Sequence, residues 1–227
     1  MISRAFTLIA LLPLLQLTTA QEPVPAPPFS VTRISYFGPG CPSNIGASIS
    51  SDGEEIQVHY NNADRALVSF GQGIESSENS KMCRMTMEME YDGGNYTVQV
   101  ARVEAQGAVK LEDGVSATVE MGAVWDGSTR EDKFEPLVFN GPTVDGSQRF
   151  RLSRSNTTDL FAPCQYFVRS AILSLRTIFT ISADDGAPET AAGTLGEDST
   201  FRQTYRLMWT RCRTSNCVDR DGVKFCR

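Results

Sequence analysis

Two carboxylates stand two residues apart in the stretch CRMTMEMEY, residues 83–91: Glu88 and Glu90. On an extended strand that spacing puts both on one face, with their Cα atoms roughly 7 Å apart. Inverting glycosidases hold their acid and base at roughly 6.5–9.5 Å, so cleavage of a glycosidic bond is the chemistry such a pair could do. That chemistry also needs one carboxyl kept protonated in a cleft. The strict alternation around the pair signals a solvated sheet face instead. His59 is the sole histidine and hence the sole imidazole base. It alternates with Val58 and Tyr60, shares the polar side of its segment with Gln57, and has no G-x-S-x-G nucleophile elbow to serve. No catalytic residue is assigned on these grounds.

Metal and cofactor chemistry find equally little. DRDG, Asp219 to Gly222, has the start of a calcium loop but lacks the third ligand position and the distant glutamate, so a turn is expected. Asp184 and Asp185 read as a solvated turn. No glycine loop follows a strand and opens a helix, so no nucleotide cofactor is expected. Trp125, beside the Asp126–Gly127 turn, is the one aromatic that could serve as a sugar platform; its other role is core packing. NYT at Asn95 and NTT at Asn156 are sequons beside turn signals, where a glycan could stand clear of the core.

The elements that must position these groups are strands. Asp-Gly occurs seven times, at 52–53, 92–93, 113–114, 126–127, 145–146, 185–186 and 221–222. The dipeptide tolerates the positive φ of tight turns, which decides against a helical protein. Strands are predicted at Val31–Tyr36, Ala47–Ser50, Glu55–Tyr60, Cys83–Tyr91, Tyr96–Ala105, Ala108–Leu111, Ser116–Val124, Leu137–Phe139, Gln148–Leu152, Ile172–Ile181 and Phe201–Trp209. In CRMTMEMEY the methionines and Tyr91 point inward and the glutamates outward. Phe201, Tyr205, Leu207 and Trp209 share one parity, interrupted by Gln203, and Arg202, Thr204 and Arg206 lie opposite. Half-buried strands of this kind need a second layer, so two packed antiparallel sheets are expected. Residues 183–199 read as a polar, mobile loop.

The first twenty residues have the parts of a secretory signal: Arg4, an apolar run from Ala5 to Leu17, and the small residues Thr18 to Ala20. The run is too short to span a bilayer and Pro13 interrupts it. Residues 21–30, QEPVPAPPFS, read as a loosely held proline-rich lead-in. Six cysteines, Cys41, Cys83, Cys164, Cys212, Cys217 and Cys226, are an even number behind a signal and read as disulfides rather than a zinc site. The formal net charge of −6 disfavours non-specific nucleic-acid binding. Residues 200–227 reverse the sign, with Arg202, Arg206, Arg211, Arg213, Arg220, Lys224 and Arg227 against only Asp219 and Asp221. Those cations could meet an anionic polysaccharide or lipid surface, or pair with the acidic body of the chain.

GPGCP (Gly38 to Pro42), the cysteine in SKMCRM, LEDGVSA (Leu111 to Ala117), FNGP (Phe139 to Pro142), APC (Ala162 to Cys164) and YRLMWTRC (Tyr205 to Cys212) follow one another in that order. In this the chain resembles the secreted, mainly fungal family called domain of unknown function 4360, over about residues 30 to 212. The resemblance implies an extracellular β-rich protein with four shared cysteines, Cys41, Cys83, Cys164 and Cys212, and no activity to carry over. Gln165, where the family often has glycine, and the appended segment with Cys217 and Cys226 depart from it. Six cysteines allow 15 pairings; Cys41–Cys83, Cys164–Cys212 and Cys217–Cys226 are expected, the last flanking a hairpin.

The expected organisation is a signal peptide at 1–20, the lead-in at 21–30, a single all-β, disulfide-stapled antiparallel β-sandwich domain at 31–212, and a basic extension at 213–227. The expected function is non-enzymatic: an extracellular binding or interaction module, host-directed if the source is a plant- or insect-associated fungus. The alternative is a carbohydrate-active cell-wall protein that binds or cleaves polysaccharide. The partner is an extracellular protein or a wall polysaccharide, not nucleic acid, and no cofactor or metal is expected.

Overall fold

The computed structural model describes residues 23–61, 66–92, 95–128, 130–143, 147–156, 160–165, 170–196, 201–212, 217–220 and 223–226. The expected signal peptide lies outside the described residues. Sixteen strands form among them. They are β1 (Ser30–Phe37), β2 (Ile45–Ile49), β3 (Glu55–Tyr60), β4 (Val68–Phe70), β5 (Ser80–Glu90), β6 (Tyr96–Leu111), β7 (Val115–Trp125) and β8 (Asp132–Lys133). The second half adds β9 (Leu137–Asn140), β10 (Gln148–Ser155), β11 (Cys164–Gln165), β12 (Ser170–Ala183), β13 (Gly193–Leu195), β14 (Arg202–Arg211), β15 (Cys217–Arg220) and β16 (Val223–Cys226). One turn of 3₁₀ helix, Ser76–Glu78, is the only helix among the described residues.

All pairings are antiparallel, and the two main sheets pack face to face as a sandwich. One sheet runs β1, β5, β12, β7, with β8 and β9 along the far edge of β7. The other runs β2, β3, β14, β6. Gln106 pairs with both Arg202 and Arg151, so β10 holds the edge of β6 opposite β14. By the same logic at Val109, β13 lies on the β14 side of β6, with β4 beyond it. A small third sheet joins β11, β16 and β15.

Alternation builds the core. Met85, Met87 and Met89 of β5 are at most 2% exposed, and Leu173, Leu175, Phe179 and Ile181 of β12 at most 3%. They meet Ile56, Val58 and Tyr60 of β3 and Tyr205, Leu207 and Trp209 of β14 from the other sheet. Each large apolar side chain so buried stabilises the fold by about 1.5–3 kcal/mol. In β6 the alternation slips. A register shift against Arg206/Leu207 turns both Val100 and Val103 inward and leaves Arg102 outside, which is how a bulge re-aims a strand. In the four Asp-Gly turns whose glycines are described, Gly53, Gly114, Gly127 and Gly186 all have positive φ, between 71° and 90°.

The short strands β4, β8 and β11 are not among those predicted, and three further differences have a packing reason. The two predicted strands 96–105 and 108–111 are one, because Gly107 continues the strand; a Cβ there would meet the rings of Phe201 and Phe150 at 3.0 and 3.2 Å. The lead-in is docked from Val24 onward: the Val24 amide donates to the Trp209 carbonyl at 2.8 Å, and the Phe29 ring sits 5.4 Å from the Trp209 indole. The segment 183–199 is not a plain loop. It contributes β13 and buries Ala191 and Leu195, since its small residues fit beside Leu111 and Ile181.

Two disulfides staple the domain. Cys41–Cys83 ties the β1–β2 connection to β5, and Cys164–Cys212 ties β11 to the end of β14. Backbone register sets Cys217 opposite Cys226 in the β15–β16 hairpin, the placement that the expected third bridge requires.

Candidate functional site

The residues first considered for chemistry are not gathered into one site. Glu88 and Glu90 lie on the outer face of the β1–β5–β12–β7 sheet, Glu88 half-buried beside Arg33 and Ile172 and Glu90 exposed. Glu90 shares the wall of an open cleft of about 610 Å³ with Asp92, Phe29 and Tyr91, and Glu88 is not part of that wall. Asp184 takes a hydrogen bond from the Ser116 hydroxyl in an exposed turn. Asp219 and Arg220 end β15, and Asp221 and Gly222 are outside the described residues. No cluster of three metal-ligating side chains occurs among the described residues.

Trp125 requires a correction. It is 1% exposed, on the inner face of β7 beside Leu173, so the two sheets cover its indole and no sugar can stack on it. The alternation of VSATVEMGAVW, with Val115, Ala117, Val119, Met121 and Ala123 buried on the same side, is what carries it inward.

The sequons separate by exposure. Asn95 is exposed, in the β5–β6 turn, with its amide on Asp92 at 2.7 Å. Asn156 is half-buried, and its Nδ2 donates to the Val100 carbonyl at 3.1 Å and to the buried Asp132 carboxylate at 2.7 Å. A glycan on Nδ2 would displace at least one of those bonds. The expected result in a glycosylating host is one glycan per chain, at Asn95. Intact-mass measurement before and after endoglycosidase checks it: Asn95→Gln abolishes the mass loss, and Asn156→Gln leaves it in place.

Polar side chains do converge on the outer face of the other sheet. Successive registers place His59, Arg202, Gln106 and Arg151 in one row across β3, β14, β6 and β10. The next row is Gln57, Thr204, Glu104 and Ser153, and a third is Glu55, Arg206 and Arg102. All of these but His59 and Ser153 line an open groove of about 330 Å³ with no aromatic in its wall. Arg151 Nε bonds Glu104 at 2.6 Å, Arg206 reaches Glu54 at 3.5 Å, and Arg102 donates to the Ser153 hydroxyl. Such exposed pairs are worth about 0–1 kcal/mol each, so the guanidinium groups can change partner at little cost. Arg202 makes no ion pair among the described residues and stands beside His59. Partial burial first, and the Arg202 charge second, hold the His59 imidazole below its ordinary pKa, so it is neutral at pH 7.

The match to a family is now decided by extent. The family model for Domain of unknown function (DUF4360) covers residues 27–212, most of the chain. The chain belongs to the DUF4360 family. A relative described as an uncharacterized secreted protein, from Arthroderma benhamiae, is 25% identical over 185 residues, which is 80% of this chain and 71% of that one. The protein is secreted, and no helix among the described residues is long and apolar enough to cross a membrane. A solved complex of TmCBM61 with beta-1,4-galactotriose aligns over 76% of this chain and 91% of that one, at 14% identity and a TM-score of 0.23. A score that low bears on neither ligand nor chemistry.

The motifs that carry the resemblance make the fold. In GPGCP, Gly38 has a φ of 114° and its Cβ would stand 2.2 Å from the Met82 carbonyl oxygen, so only glycine lets Cys41 reach Cys83. In APC, the Ala162 carbonyl accepts from Thr97 at 2.5 Å and the cysteine bridges to Cys212. YRLMWTRC supplies three core residues and that cysteine. The arginine groove lies outside these motifs, apart from Arg206. The outward parity of Arg202, Thr204 and Arg206 was visible in the sequence; the partners Arg102, Glu104, Gln106 and Arg151 were not, because only strand pairing makes them neighbours.

Proposed function

We propose that this secreted protein is a non-catalytic extracellular binding module that works through the outer face of the β3–β14–β6–β10 sheet. The observation behind this reading is the placement of polar groups. Guanidinium, amide, hydroxyl and carboxylate side chains share one open groove, whereas Glu88 and Glu90, the pair first considered for catalysis, lie on the outer face of the other sheet. A groove of about 330 Å³ is at the small end of ligand sites, as fits a short stretch of a longer partner. A host-directed role puts that partner on a host surface, and a carbohydrate role puts it in a wall; both use the same face.

The test is retention on insoluble walls and purified wall polymers, scored together with release of reducing ends. Retention with no product, lost when the groove arginines are changed, is the expected result. Product release that depends on Glu88 or Glu90 would overturn the reading.

A further inference from the structure

We propose that the groove binds a carboxylate-bearing polysaccharide, a chain of uronic acids, with Arg102 and Arg206 holding one carboxylate and Arg151 and Arg202 another. This rests on the binding-module reading and names its ligand class. Arg102 and Arg206 are register partners on adjacent strands, so their side chains rise from positions roughly 5 Å apart. Arg202 and Arg151 flank Gln106 from its two sides. The two arginine rows are four residue steps apart on β14, roughly 13 Å along the strand. Between them lie Gln57, Thr204 and Glu104, which offer an amide, a hydroxyl and a carboxylate.

That order of groups selects the ligand. The planar guanidinium fork matches a carboxylate with two parallel hydrogen bonds. Every ring of such a chain carries a carboxylate, so two of them fall on the rows, and the band between pairs with hydroxyls of the intervening rings where the twist of the chain turns their own carboxylates away from the sheet. A neutral glycan could offer the arginine rows only single hydroxyl acceptors, not the bidentate, charged carboxylate, and would find no aromatic surface to stack on. The chain carries a net charge of −6. A dense polyanion is therefore repelled at long range, and a ligand gains only where its charges fall on the rows.

The experiment is calorimetric titration of the full-length secreted protein with polygalacturonate oligomers, the same oligomers fully methyl-esterified, and neutral galactan oligomers. Only the free acid is expected to bind, more weakly as salt rises. Arg102→Gln with Arg206→Gln, and Arg151→Gln with Arg202→Gln, should each weaken it tenfold or more. Arg33→Gln with Arg84→Gln, exposed on the opposite sheet, should not, and all three should melt as the parent does. His59, the sole histidine, supplies a second readout: its imidazole resonances should move with the acid and not with the ester. No binding of the acid, equal binding of acid and ester, or unchanged affinity in the groove variants overturns the uronate assignment. Retention on a neutral polymer without cleavage would do so while leaving the module reading standing; cleavage would instead sink the module reading.

Discussion

Between pH 10 and 12 the protein is expected to lose stability at roughly 4 kcal/mol per pH unit, and to unfold cooperatively within that window. Three buried tyrosines set this slope. Burial pushes the Tyr91 hydroxyl up to about 12. Burial pushes Tyr60 and Tyr205 further still: both rings are closed between the sheets, and ionised Tyr36 and Tyr60 would add repulsion at Tyr60 and Tyr205 respectively. In the unfolded chain a tyrosine ionises near pH 10. A folded value above the unfolded one means that the stabilisation is whole below pH 10 and is lost as pH rises toward the folded values. Each group contributes about 1.4 kcal/mol per unit through that range, and three together give the slope. Denaturant midpoints measured every half unit, with tyrosinate absorbance followed in parallel, check it. Tyr91→Phe should cut the slope by about a third. If those tyrosines ionise one by one while the strand signal in circular dichroism persists to pH 12, the packing described here is wrong.

These tyrosines also show how much of the fold the sequence disclosed. Tyr91 closes the zipper of Met85, Met87 and Met89, and its burial followed from parity alone. Tyr205 likewise follows from its place between Phe201 and Leu207. The interior of a sandwich is legible because one side of each strand must leave water and the period of two says which. The lead-in was not legible. Its prolines suggest a free segment, and only tertiary contact reveals that Phe29 lies on Trp209. Residues 183–199 were missed because glycine and alanine carry no periodic signal, yet close approach to Leu111 and Ile181 needs small side chains there. The groove was half legible for a related reason. Outward polar residues are read strand by strand, whereas a binding face depends on which strands lie side by side, and local sequence does not specify that. Trp125 failed as a site residue because a neighbouring turn suggested exposure, while the alternation of its own strand carried it inward.

The position that broke the parity of β14 makes the second large prediction. Gln203 is fully buried, and its Oε1 accepts from the hydroxyls of Tyr60, Tyr205 and Thr177, each at 3.0 Å. One amide thus serves three hydroxyls, contributed by both sheets, in the centre of the core. Gln203→Leu keeps the shape and removes the acceptor. Tyr60 can still donate to Thr177 at 3.2 Å; Tyr205 is left with the same Thr177 hydroxyl, which must then accept from both rings while its own proton loses the Gln203 acceptor. A buried polar group left without a partner costs about 1–3 kcal/mol, so with more than one hydroxyl affected the variant should lose roughly 2–4 kcal/mol. For a domain of this size that lowers the melting temperature by about 5–15 °C. Removing the Tyr205 hydroxyl as well, in Gln203→Leu with Tyr205→Phe, should recover a large part of the loss, because the penalty belongs to the unpaired group rather than to the missing bond. The double-mutant cycle would therefore show strong coupling between the two positions. A Gln203→Leu variant as stable as the parent, or simple additivity with Tyr205→Phe, would mean that the amide does not join the two sheets.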